Sequence, residues 1–151
     1  MAAEVRERRP PDAVVRALNP VLRVVLGSRF GRLVEPLAVL EFTGRRTHRR
    51  FQVVTGWYQL DGDNVVFSPA RWRANFAGGA AARVRHRGTL HTLHGVLVTD
   101  ALAVGDALNR LISAGTAPRT LGVWVPPGHR ITAEDVAHTR RAMIRFTPTQ
   151  P

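Results

Sequence analysis

The chain has no cysteine, no lysine, a single tyrosine and no apolar run long enough to cross a membrane. Without cysteine, disulfides, thiolate metal sites and cysteine nucleophiles are excluded. The missing lysine changes how the charge is read. A formal net charge of +11 and a pI near 11.8 would normally point to nucleic acid or an acidic membrane surface. All 22 basic residues are arginine, however, a skew better explained by GC-rich coding than by selection for phosphate contacts. No helix-turn-helix or aromatic-rich sheet motif is present, so nucleic acid is not the expected partner. Metal is not expected either. His91 and His94 fall on opposite faces of an expected strand, and no His-x-His or His-Glu-x-x-His pair occurs. The apolar stretch from Leu18 to Leu26 is interrupted by Asn19, Pro20 and Arg23, so it is no transmembrane helix of about 20 apolar residues. The N-terminus carries Glu4, Glu7 and three arginines where a signal peptide would be apolar, and the expected location is the cytoplasm. A membrane-surface helix within "AVVRALNPVLRVVLGSRFGRLVEPL" stays open, but a helix packing its apolar stripe on the domain accounts for the same pattern.

At 151 residues the chain is one domain's worth. Residues 1–11, charged and closing on Pro10-Pro11, read as a disordered lead-in to a single domain over 12–151. Asp12 is placed to cap a helix to Leu18, and after Asn19-Pro20 a second helical piece runs to Leu26. "LAVLEFT", Leu37 to Thr43, is a buried strand by pattern, and "RFQVVTGWYQL", Arg50 to Leu60, is a second. Asp61-Gly62-Asp63-Asn64 then turns into "VVFS". "SPARWRANFAGG" reads as a short helix capped by Ser68, opened by Pro69 and ended by Gly78-Gly79. Two strands follow, "AARVRHR" and "LHTLHGVLVTD". In the first, Arg83, Arg85 and Arg87 share one face, and Ala82, Val84 and His86 the other. Residues 101–115 have helical spacing through Leu102, Leu108, Leu111 and Ile112, with Gly115 as the stop. Thr132 and Asp135 form a capping-box pattern for a last helix, and "AMIRFTP" closes as a strand. The sum is an α+β, mainly β chain of about six antiparallel strands in a barrel or curled sheet, without Rossmann or phosphate-loop motifs.

Between Thr43 and Arg87 stand nine arginines against two acidic residues, both in the expected hairpin turn. Gly44-Arg45-Arg46-Thr47 offers backbone N–H groups, a hydroxyl and two guanidiniums, all suited to phosphate or carboxylate oxygens. A second anion site is expected at the start of the Ser68 helix. Arginines solvated on a strand edge would give the same composition. Trp72, Asn75 and Phe76 share a helical face, placed either to pack on a planar ring and bond its edge or simply to fill the core.

The segment "LEFTGRRTHRRFQVVTGWYQLDGDNVVFSPARWRANFAGGAAARVRHRG" resembles the deazaflavin-dependent nitroreductase and quinone reductase family, whose members have the split β-barrel fold of the flavin-nucleotide oxidases. The family's Thr-Gly-Arg-Lys/Arg-Ser/Thr turn matches Thr43 to Thr47, and its Trp-x-x-Asn-Leu matches Trp72, Asn75 and Phe76, followed by Gly78-Gly79. The resemblance covers about residues 20–100. It implies hydride transfer from reduced deazaflavin coenzyme F(420) to a quinone, nitro compound or similar acceptor, in a homodimer. Arg45, Arg46, Thr47 and Ser68 would hold the cofactor's phosphate and tail, with Arg50, Arg71, Trp72 and Asn75 completing the cofactor-binding set. No catalytic residue carries over. Two positions depart from the family: His48 stands where glycine is usual, and the loop before Trp72 is cut to Ser68-Pro69-Ala70-Arg71. With that loop shortened, FMN, haem or no cofactor stay open, and the alternative is a non-enzymatic split-barrel binding protein for haem, flavin or an apolar ligand.

Overall fold

A computed structural model of the chain describes residues 6–7 and 37–149. The expected N-terminal helices lie outside the described residues. Of the lead-in, Arg6–Glu7 (β1) is described, paired antiparallel with Val123–Trp124 (β8).

In Leu37–Thr43 (β2) the buried Ala38, Leu40 and Phe42 alternate along the strand, giving it an inner apolar face. The chain returns as Arg50–Gly56 (β3), in register from Leu37 opposite Gly56 to Thr43 opposite Arg50. At Trp57 the expected long strand breaks. Tyr58–Leu60 (β4) pairs instead with Asp63–Ser68 (β5), joined by a two-residue Asp61-Gly62 turn. Both turn residues have positive φ, 54° and 82°, the conformation a tight hairpin demands and Asp-Gly supplies. Asp63 and Asn64 therefore belong to the ladder and not to the turn.

Arg71–Phe76 forms a 3₁₀ helix, followed by the hairpin of Ala80–His86 (β6) and Thr89–Val98 (β7). Helix α1 (Ala101–Ser113), a 3₁₀ turn at Pro118–Leu121, β8, helix α2 (Ala133–Thr139) and strand β9 (Ala142–Pro148) complete the chain. The main sheet has seven strands in the order β3-β2-β6-β7-β9-β5-β4, every pair antiparallel. β3 and β4 occupy opposite edges although only Trp57 separates them in the chain. The sheet must curl until its edges approach, and β3 touches β5 across the seam. The result is an α+β split β-barrel.

The two faces carry separate cores. Period-two alternation sends Val66 of β5 and Ile144 and Phe146 of β9 into the barrel, where they meet Leu40, Phe42, Trp57, Phe76, Val84 and Leu93. Val65, Phe67 and Met143 point outward, against Val104, Leu108 and Leu111 of α1 and Val136 of α2. Leu102 is 71% exposed, so the buried stripe of α1 runs through Val104, Ala107, Leu108 and Leu111 and excludes it. On β6, Ala82 and Val84 are buried and Arg83 exposed, as the alternation in the sequence requires. No helix among the described residues is long and apolar enough to cross a membrane.

Candidate functional site

The arginine-rich connection between β2 and β3 is a compact turn. The Gly44 N–H donates to the Arg49 carbonyl at 2.7 Å, and the His48 N–H to the Gly44 carbonyl at 3.0 Å. His48 takes φ 55°, a left-handed conformation natural to glycine. Gly44 is needed for a different reason: a Cβ there would lie 2.5 Å from the Phe51 ring and 2.9 Å from the Thr47 hydroxyl. That hydroxyl accepts from the Arg49 N–H at 3.4 Å.

Facing this turn is the segment after β5. Ser68 remains in the ladder opposite Ala142, and its hydroxyl accepts from the Ala70 N–H at 3.0 Å. The helix starts at Arg71, with Ala70 at the cap position and no side-chain cap. The expected Ser68 cap is therefore not formed. Sheet pairing holds Ser68 two residues before the cap position, and a six-residue 3₁₀ helix has no extended dipole to offer. The helix is anchored by Phe76, fully buried among Phe42, Trp72 and Phe146, with ring centroids 5.1, 6.2 and 5.5 Å away.

Asn75 ties the two segments together. Its Oδ1 accepts from the Arg45 backbone N–H at 2.8 Å, and its Nδ2 donates to the Trp72 carbonyl at 2.8 Å. The Arg45 guanidinium reinforces the joint by donating to the Ala77 carbonyl at 3.3 Å. Each end of the amide thus makes one structural bond, leaving a second N–H and a second acceptor lone pair.

Between turn and helix opens a cleft of about 920 Å³, within the range of cofactor sites. Arg45, Arg46, Thr47, Arg71 and Asn75 of the expected set line it. Arg73 joins them, its guanidinium donating to the carbonyls of Ser68, at 2.9 Å, and of Arg140. Arg46 and Arg71 differ: both are exposed, and neither makes a hydrogen bond or ion pair with any described residue. No carboxylate of the described residues lines the cleft, while Phe51, Pro69 and Leu97 supply an apolar wall. The arrangement suits a ligand with a flat apolar part and an anionic part.

Three expected residues lie elsewhere. Arg50 lines a neighbouring cleft of about 470 Å³ with Glu41 and Arg83, on the edge of the sheet. Glu41 there accepts from the Gln52 amide at 2.7 Å, and Arg83 and Arg85 each approach it to 4.0 Å. Ser68 is buried, and Trp72 packs its ring against Phe42 and Phe76 as core. Sequence reasoning missed Phe51, Arg73 and Leu97. Phe51 was within reach, because hairpin pairing sets it opposite Phe42, where the rings stack at 5.5 Å. Leu97 had no local signal, since β7 reaches this end only through the sheet order.

Tyr58 is in neither the arginine cleft nor its neighbour. Its hydroxyl donates to the Thr120 carbonyl under the helix layer, and burial raises its pKa against the lowering influence of that bond and of Arg141. A protonated, pinned phenol is a structural group. Among the described residues no cluster of three or more His, Asp or Glu is placed to hold a metal ion.

No family model matches the chain, and no curated protein matches it.

Proposed function

We propose that the protein is a split-barrel oxidoreductase that binds deazaflavin coenzyme F(420) in the arginine cleft and passes hydride to a quinone, nitro compound or similar acceptor. One observation carries the proposal. The two segments that resemble the deazaflavin-dependent family come together around a cleft that no carboxylate of the described residues lines, and in which the Arg46 and Arg71 guanidiniums have no partner among the described residues. The residues fit the group: Arg46 and Arg71 match a phosphodiester and a carboxylate-bearing tail, and Phe51 and Leu97 provide a wall for a flat ring. When bound, the reduced deazaflavin supplies the hydride.

The chain's own part is binding and placement. Asn75 fixes the arginine turn on the 3₁₀ helix, so the cationic groups are held in position before the ligand arrives. Among the described residues the lining contains no Asp, Glu, His or Tyr, and the acceptor takes its proton from water. The barrel interior is filled by Phe76, Phe146, Leu40 and Val66, which directs any ligand to a mouth of the barrel and not to its axis.

The test is turnover. Purified protein mixed with the reduced coenzyme and a soluble quinone oxidises the coenzyme faster than the quinone alone does, read by absorbance. An unaccelerated rate with both quinone and nitro acceptors contradicts the proposal, and turnover with reduced FMN alone replaces the cofactor.

A further inference from the structure

The opposite end of the barrel carries a second cleft, of about 410 Å³. β2 spans the barrel between them, with Thr43 beside the arginine turn and Leu37 at the far end, about 20 Å away at the rise of an extended strand. The inward positions along most of the barrel are apolar, yet at this end they are polar. The cross-strand pair Gln59 and Asn64 and the imidazoles of His86 and His91 surround a floor made by Trp57 and Leu93. Arg87 completes the rim, and no carboxylate of the described residues lines the cleft.

Inward polar groups cost stability unless they are hydrogen-bonded. The His86 Nδ1 is satisfied at 3.2 Å by the Leu37 carbonyl. A carbonyl oxygen only accepts, so Nδ1 carries the proton and Nε2 is left to face outward. The amides of Gln59 and Asn64 bond no described residue. Trp57 is 7% exposed, and its indole N–H likewise donates to no described residue. Among the described residues Trp57 contributes no fully buried, unpartnered polar atom, so its N–H keeps contact with solvent, and Trp57 lines the cleft.

We infer that this end of the barrel is a second ligand site, for a small aromatic carboxylate. A nearly buried indole N–H calls for an acceptor oxygen. The neighbouring amide NH₂ groups add donors around it, and with no carboxylate of the described residues in the lining the cleft admits a negative charge. The aromatic edge of Trp57 and the Leu93 side chain offer a surface for a single planar ring, and 410 Å³ is the size of a small-molecule site and not of a dinucleotide one. The site lies apart from the arginine cleft and does not depend on what binds there.

The experiment is a ¹H–¹⁵N NMR titration of the whole chain with nicotinate, and with nicotinamide as its uncharged counterpart. The site predicts saturable shifts of the Trp57 indole N–H with nicotinate, with a dissociation constant of about 0.1–1 mM for a ligand this small. Nicotinamide binds roughly tenfold more weakly. Gln59→Leu, at an exposed strand position, and Asn64→Leu each weaken nicotinate roughly tenfold, with folding checked by the unchanged indole dispersion of Trp72 and Trp124. Arg46→Ala leaves this titration unchanged. No shift of the Trp57 indole up to about 10 mM, or shifts confined to residues of the arginine turn, overturns the inference. Equal affinity for nicotinamide overturns the carboxylate assignment.

Discussion

Arg46 and Arg71 are the residues on which the proposed function turns, because they are the cleft's guanidiniums without a partner among the described residues. Arg46→Ala should weaken coenzyme binding by about 1.5–3 kcal/mol, the worth of a charge-assisted hydrogen bond, and leave the unfolding midpoint unchanged. Asn75→Ala should act differently, lowering stability by about 1–2 kcal/mol in urea unfolding because it strands the Arg45 N–H, and reducing binding only through the displaced turn. His48 offers a test of the backbone. With φ at 55°, His48→Gly should be tolerated or gain up to about 1 kcal/mol, whereas β-branched His48→Val should lose about 1–2 kcal/mol. The turn's chemistry was legible in the sequence because Gly44 to Thr47 are contiguous. The role of Asn75 was not, because its partner Arg45 lies 30 residues away.

Helix α2 shows an element whose local signal and final structure agree. The Thr132 hydroxyl accepts from the Asp135 N–H at 3.2 Å, and the Asp135 carboxylate accepts from the Thr132 N–H at 2.9 Å, closing the capping box. The same carboxylate oxygen meets His129 Nε2 at 2.7 Å. Burial pushes the Asp135 pKa up, but the bonds from Thr132 and His129 outweigh it and hold the carboxyl below its usual range. A folded pKa below the unfolded value of about 3.9 means the stabilisation is complete above that pH and fades as pH falls through the folded pKa. Asp135→Asn should therefore cost about 1–2 kcal/mol at neutral pH, with the difference from wild type narrowing as pH falls through the lowered folded pKa, as read from urea midpoints across pH. The 3₁₀ helix at Arg71–Phe76 shows the opposite outcome. Ser68-Pro69 has the look of a helix start, but Ser68 is already held by its pairing with Ala142. A capping pattern loses when the sheet needs the same residue.

For the whole molecule, the decisive feature is closure. Individual strands were legible from alternation, and β2 and β9 match their sequence patterns end to end. The order β3-β2-β6-β7-β9-β5-β4 was not, because it depends on the break at Trp57 that sends one apparent strand to both edges. Curling also sets how tightly the interior packs. A Cβ on Gly95 would lie 2.6 Å from the Phe146 ring and 2.8 Å from Phe76, the residue that anchors the cleft-forming helix. Gly95→Ala should lower stability by about 1–3 kcal/mol, and adding Phe146→Leu should recover part of that loss by opening space. A nucleic-acid role for the basic surface would instead show as binding that collapses with salt.

The most direct measurement is a fluorescence titration of wild type, Arg46→Ala and Arg71→Ala with oxidised deazaflavin coenzyme, beside FMN. Selective wild-type binding with a dissociation constant of about 1–10 µM, weakened roughly tenfold or more by each substitution, is the expected result. Equal binding by all three proteins, or binding of neither cofactor by wild type, would contradict the assignment of the arginine cleft.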